Sequence, residues 1–198
     1  MKLKLSLLLT LILSATSARA EWIDFAGWDH AQVTGAGQTF EDVCGDIDLT
    51  VTGVANSFTT SFTGLDDVFI GGSADTMELT FTFSGAVDAI MDIHTLDPDE
   101  ILTIIGGNPA TYNHVFGGMP TQSGALVLQG TGYGISPTGA SHGEIDLGEV
   151  TSFTFTYEAL GNNKFDRFSI GCSEVVPEPN SLVLVLIGGL AMLFGRRR

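Results

Sequence analysis

Three kinds of side chain in this 198-residue chain could do chemistry: 23 carboxylates, four histidines and two cysteines. The carboxylates come in close sets, Asp46-x-Asp48, Asp66-Asp67 and Asp97-x-Asp99-Glu100. Ca²⁺ takes about six to eight oxygens from such clusters, but none of these follows an EF-hand or nonapeptide spacing. Asp166 stands apart because it shares strand parity with the apolar Phe168 and Ile170. An inward carboxylate there needs either an ion or a hydrogen bond from a loop backbone. His30, His94, His114 and His142 are dispersed, with no H-x-x-x-H or Cys/His spacing, so they read as exposed loop residues and no transition-metal site is expected. Ser73 of Gly71-Gly72-Ser73-Ala74-Asp75 lies in a plain turn sequence, and no glycine pair sits between a strand and a helix as phosphate binding would need.

Two facing carboxylates are also the apparatus of a glycosidase. An exported hydrolase acting on polysaccharide is therefore one functional reading, and a non-catalytic binding protein is the other. Exposed aromatics such as Trp22, Trp28, Tyr112 or Tyr133 on a flat platform would favour sugar stacking; two carboxylates converging in a cleft would favour catalysis. Charge narrows the partners. All the acids except Glu178, but only Lys164 and Arg167 among the bases, lie between Glu21 and Val176, and two cations against 22 carboxylates leave −20. Such a surface repels nucleic acid and anionic lipid and attracts cations.

The elements that would position these groups are strands. Apolar and polar residues alternate with period two between Gly, Asn, Asp and Pro. Ile47, Leu49 and Val51 point one way from a strand over Asp46–Val54, and Phe58 and Phe62 share a face of the next. Met77, Leu79, Phe81 and Phe83 alternate with Glu78, Thr80 and Thr82, and Val87, Ala89, Met91 and Ile93 form the inner set of a following strand, with Asp88, Asp92 and His94 outside. Asp97–Glu100 is a turn, Ile101–Ile105 reads as a run covered on both sides, and 106–123 as loop. Short strands follow at Ala125–Gln129, Glu144–Leu147, Ser152–Tyr157 and Phe165–Cys172. Trp22–Trp28 reads as an edge strand or a plug against the core. No stretch has a helical period, so an all-β antiparallel sandwich, jelly-roll-like, is expected for 21–174.

Both ends of the chain are of a different kind. Lys2 and Lys4, the apolar Leu5–Leu13 and the small-x-small Ala18-Arg19-Ala20 form a signal peptide over 1–20, to be cut after Ala20 by signal peptidase. In the oxidising compartment this implies, Cys44 and Cys172 pair by default, with two free thiols as the alternative. The bond would stabilise by about 4–5 kcal/mol in the chain-entropy treatment and set the first and last strands side by side. Parity complicates it, since Cys172 falls with the inward Phe168 and Ile170 but Cys44 with the outward Asp46 and Asp48; a bulge at Gly45 would resolve this.

The tail, 175–198, combines Pro177-Glu178-Pro179, an apolar run Leu182–Phe194 within a helix expected over 181–195, and Arg196, Arg197 and Arg198. The prolines hold the first part extended, and the arginines keep the C-terminus cytoplasmic. At about 1.5 Å per residue the apolar run falls short of a hydrocarbon layer of about 30 Å, which suits a transient anchor. A permanent membrane anchor is the alternative. In this order of parts the tail resembles the PEP-CTERM sorting signal, with Pro177, Glu178 and Pro179 matching its motif and Arg196–Arg198 its stop; Asn180 departs from the small residue common there. The resemblance implies recognition by an exosortase in the inner membrane of a Gram-negative cell, processing near the motif, and release to the cell surface or exopolysaccharide matrix.

The segment Lys164–Gly171 also resembles the last strand of bacterial surface jelly-roll modules, including carbohydrate-binding ones. Some modules of that kind carry a structural Ca²⁺ between their terminal strands, for which Asp24 and Asp166 are the candidate ligands here, with a hydrogen bond from a loop backbone to Asp166 as the alternative; no other cofactor is expected. The reading that joins these features is a non-catalytic exported surface or matrix protein, acting by adhesion or glycan binding.

Overall fold

The computed structural model of the protein describes residues 20–55, 59–62, 67–72, 76–107, 111–123, 126–133, 136–137, 139–159 and 164–174. All belong to one compact unit, Ala20–Glu174. The expected signal peptide up to Arg19, with Ala18 of its cleavage site, lies outside the described residues, as does the tail with Pro177, Glu178, Pro179 and Arg196–Arg198. Among the described residues no helix is long and apolar enough to cross a membrane.

The unit is all-β and antiparallel. Its strands are β1 (Glu21–Trp22), β2 (Gln38–Phe40), β3 (Leu49–Ala55), β4 (Thr59–Phe62), β5 (Val68–Gly72), β6 (Thr76–Leu96), β7 (Glu100–Gly106), β8 (Thr111–Phe116), β9 (Thr121–Ser123), β10 (Val127–Gln129), β11 (Ser141–Ala159) and β12 (Lys164–Glu174). Two of them organise the rest. β6 runs for 21 residues and β11 for 19, and they pair along nearly their whole length, from Glu158 opposite Thr76 to Ser141 opposite Leu96. The strands expected separately over Met77–Phe83 and from Ala86 onward are thus one strand, and so are Glu144–Leu147 and Ser152–Tyr157. Gly85 and Gly148 break the apolar rhythm in sequence, but the ladder absorbs them through register shifts at Asp146/Gly148 and Val150/Ser152.

Each half of this ladder carries its own neighbours. The first half of β6 pairs with β3, and the second half of β11 with β7, which leads on to β10 and β9. The second half of β6 pairs with β12, which leads to β5 and β4 and also takes β1; the first half of β11 pairs with β8. Phe168 of β12 joins the halves. Its ring lies 5.9 Å from Phe81 on β6 and 5.3 Å from Phe155 on β11, both edge-on, and Phe25 and Trp28 close over it at 6.4 and 6.3 Å.

The inner residues of the two long strands are those the alternation marks. Met77, Leu79, Phe81, Phe83, Val87, Ala89, Met91 and Ile93 are all buried, as are Phe153, Phe155 and Tyr157. Ile101–Ile105 does not follow the expectation of burial on both sides: Leu102 and Ile104 are buried, while Ile105 is 60% exposed on a sheet that faces solvent. The 106–123 region holds β8 and β9 rather than loop, and β5 is a further strand without a sequence signal of its own.

The start of the unit is a plug more than a strand. Glu21 and Trp22 pair with β12 and the Ile23 N–H donates to the Ile170 carbonyl at 2.8 Å; Ile23, Phe25 and Trp28 are buried, and the Trp28 indole N–H donates to Thr60 Oγ1 at 2.7 Å. One helical turn, α1 (His30–Val33), follows, where no helix is expected from periodicity. Its signal is local: the Asp29 carboxylate accepts the N–H groups of Ala31 and Gln32.

Cys44 and Cys172 form a disulfide, with Cα atoms 5.9 Å apart across a separation of 128 residues. Cys44 lies in the β2–β3 connection rather than in a strand, and Gly45 beside it takes φ +70°, the left-handed region open to glycine. That turn removes the parity conflict. Cys172 in turn stands opposite Glu21, so β1 and β12 do lie side by side.

A carboxylate is also buried. Glu100 is fully enclosed, accepting the Asp97 N–H at 2.7 Å and the Tyr157 hydroxyl at 2.5 Å. The acidic turn Asp97–Glu100 is therefore held by its own glutamate.

Two substitutions separate these contributions. Phe168→Ala should cost about 3–5 kcal/mol in urea unfolding, as expected for a large ring removed from a closed core, while Phe116→Ala on the exposed β8 should be near neutral. Equal effects would show that Phe168 does not join the halves. Cys172→Ser should lower stability by about 2–5 kcal/mol, and reductant should lower the native protein equally and leave the variant unchanged. A variant melting with the oxidised protein would contradict the bond.

Candidate functional site

The site grows from the outer face of β6. Because Met91 and Ile93 point into the core, Asp92 and His94 between and after them point away from it, two residues apart on one face. On one side, β12 places Ser169 opposite Asp92 and Arg167 opposite His94. On the other, β11 places Glu144 opposite Asp92, and the register shift between Ser141 and Gly143 brings His142 in beside the pair. β8 completes the row with Asn113 opposite Glu144.

One carboxylate takes two imidazoles. His94 Nε2 lies 3.1 Å from Asp92 Oδ2, and His142 Nε2 lies 3.1 Å from Asp92 Oδ1. With protons on Nε2, both rings donate to Asp92. The rings themselves are 4.4 Å apart, tilted by 39°. All three residues are half-buried, and their ligand-capable atoms lie within 4.8 Å of one another. Behind His94, the largely buried Asp67 accepts the Ser169 hydroxyl at 2.6 Å and stands 3.8 Å from His94 Nε2 and 4.0 Å from the Arg167 guanidinium.

The charges act on His94 in a definite direction. Its pKa is raised above the ordinary 6.5, first by the hydrogen bond to Asp92, against the opposing effect of burial, with the Asp92 and Asp67 charges adding and Arg167 subtracting. Tyr112 of β8 is pushed up to about 12, by burial and then by the Asp92 charge, so its phenol stays protonated. Its ring lies across Gly143: a Cβ there would come within 2.5 Å of the hydroxyl and 2.6 Å of the Asn113 carbonyl oxygen. Glycine at this position is what allows β8 to approach β11 so closely.

The histidines are therefore not the exposed loop residues the sequence suggests. His94 and His142 sit on strands and converge, and His30 opens α1, where its Nδ1 accepts the Thr60 N–H at 3.2 Å. His114 is exposed, on β8. Asp92-x-His94 on one strand face was a legible half of the cluster; His142 is 48 positions further along, and only the β6–β11 register joins it.

The other acidic sets are placed elsewhere. Asp24 is exposed and accepts the Ala26 N–H at 2.8 Å, and Asp166 lies in β12 opposite Ile70, with only its backbone described. Asp48 accepts the Asp42 N–H, holding the β2–β3 turn. Of the aromatics, Trp28 is core, Trp22 and Tyr133 are exposed at 39% and 64%, and Tyr112 is partly buried.

The chain matches no protein-family model and no curated protein sequence.

In chelator-treated protein, the His94 imidazole followed by NMR should titrate above the ordinary 6.5, and Asp92→Asn should move its midpoint down. Because the folded pKa is the higher one, the stability that this pair contributes is fully present below about 6.5 and is lost as pH rises through the folded value. A midpoint unmoved by Asp92→Asn would detach His94 from Asp92.

Proposed function

We propose that this chain is an exported, non-catalytic protein of the Gram-negative cell surface or extracellular matrix, whose β-sandwich domain, jelly-roll-like, acts by adhesion or glycan binding. The observation that carries this reading is the Cys44–Cys172 disulfide, because a bond tying the two ends of the unit persists in an oxidising compartment. Export through a signal peptide cut after Ala20 supplies that compartment. The PEP-CTERM-like tail then holds the protein in the inner membrane, C-terminus cytoplasmic, until an exosortase acts at Pro177-Glu178-Pro179.

A non-catalytic role is favoured by where the carboxylates are spent. Glu100 is buried against Tyr157, and Asp24, Asp29 and Asp48 accept backbone N–H groups in turns. Acids used in this way hold turns in place. The exposed Trp22 and Tyr133 offer stacking surface for sugar rings.

Intact mass of the protein recovered from its host's surface or medium tests the delivery. The expected mass begins at Glu21 and ends near Pro177, and Glu178→Ala should hold the full-length form in the inner membrane. Surface protein that retains Arg198, or an unchanged surface yield from the variant, would overturn the sorting reading.

A further inference from the structure

We propose that Asp92, His94 and His142 form a binding site for a divalent transition-metal ion, Zn²⁺ foremost. The site is independent of how the chain is delivered. Two imidazoles and one carboxylate are a donor set that zinc takes readily, whereas Ca²⁺ and Mg²⁺ prefer all-oxygen shells. With bonds of about 2.0–2.1 Å, neighbouring donors around a tetrahedral ion stand about 3.3 Å apart. The two Nε2 atoms already stand 3.1 Å from the Asp92 oxygens. Small side-chain rotations open the cluster enough to admit an ion, which then replaces the protons that the imidazoles donate to Asp92.

The backbone around the cluster is unusual on both strands. Thr95, directly after His94, takes φ +67°, a conformation that a β-branched residue rarely adopts. On β11 the ladder slips between Ser141 and Gly143, on either side of His142. Both lie at the end of the β6–β11 ladder that carries the cluster, and the slip sets His142 beside His94 over one carboxylate. Strain of this kind tends to collect where a ligand is held.

Charge also suits a dication. Asp92 and Asp67 outweigh Arg167 locally, and the mature domain as a whole is strongly acidic. Asp67, 3.8 Å from His94 Nε2 and anchored by Ser169, lies just behind the three ligands and adds to the field there. Three protein donors leave a coordination position for water.

The test uses the full-length oxidised chain in detergent, without a polyhistidine tag and stripped with EDTA, titrated with ZnCl₂ by calorimetry at pH 7.5. One equivalent should bind with Kd at or below about 10 µM, and Co²⁺ should give a visible absorption band that Zn²⁺ abolishes. His94→Ala and His142→Ala should each weaken binding by at least about tenfold. Asp92→Asn, nearly isosteric, should do the same with unchanged circular dichroism, which guards against loss of fold. Millimolar Ca²⁺ should not compete. Absence of saturable Zn²⁺ binding up to about 100 µM, or Zn²⁺ binding that survives all three substitutions, would overturn the proposal and leave Asp92 as a hydrogen-bond acceptor for two histidines.

Discussion

Pairing between β6 and β11 is the constraint on which this domain depends. A two-stranded ladder some twenty residues long cannot stay flat, since adjacent strands twist and the twist accumulates. Here it is bent and re-registered near its middle, so that each half recruits its own set of shorter strands. The apolar faces of the halves then close on each other, with Phe168 between Phe81 and Phe155. β3, β7, β8 and β12 are added directly at its edges, and the remaining strands build outward from β3, β7 and β12.

The ends of the unit are secured by different physics. β1 contributes only two ladder positions, so its hold on β12 is slight by itself. Burial of Ile23, Phe25 and Trp28 makes up most of the difference, and the Trp28–Thr60 hydrogen bond removes the cost of enclosing the indole N–H. The disulfide adds a covalent tie from the β2–β3 turn to β12, so the two ends of the unit and the second β-connection meet at one place. In a chain with few cations to make ion pairs, apolar burial and a cross-link are the means available.

The same ladder makes the polar cluster. The inner residues of β6 and β11 form the core, so their outer residues are brought together just as firmly, and those happen to include Asp92, His94 and His142. Residues on central strands are held more precisely than residues on loops, which suits a site whose donors must keep fixed separations. Neighbouring β12 supplies Ser169 and Arg167, and through them fixes Asp67 behind His94.

The inner faces of the strands are determined by sequence alone, because alternation in β6, β11 and β3 reflects a local property, the opposite direction of successive side chains. Pairing of Cys44 with Cys172 was also legible, since the chain holds only two cysteines. The joining of four expected strands into two long ones was not, because Gly85 and Gly148 look like turns; Gly148 does take φ +62°, but at a register shift inside a strand that stays paired on both sides of it. Helix α1 is too short to show a period, and β5 and β8 carry no clean alternation. The convergence of His94 and His142 lay furthest from view. Histidine types and positions are written in the chain, but which strands lie side by side, and in which register, is decided by how the whole core packs, and a shift of one residue would have sent His142 to the other face.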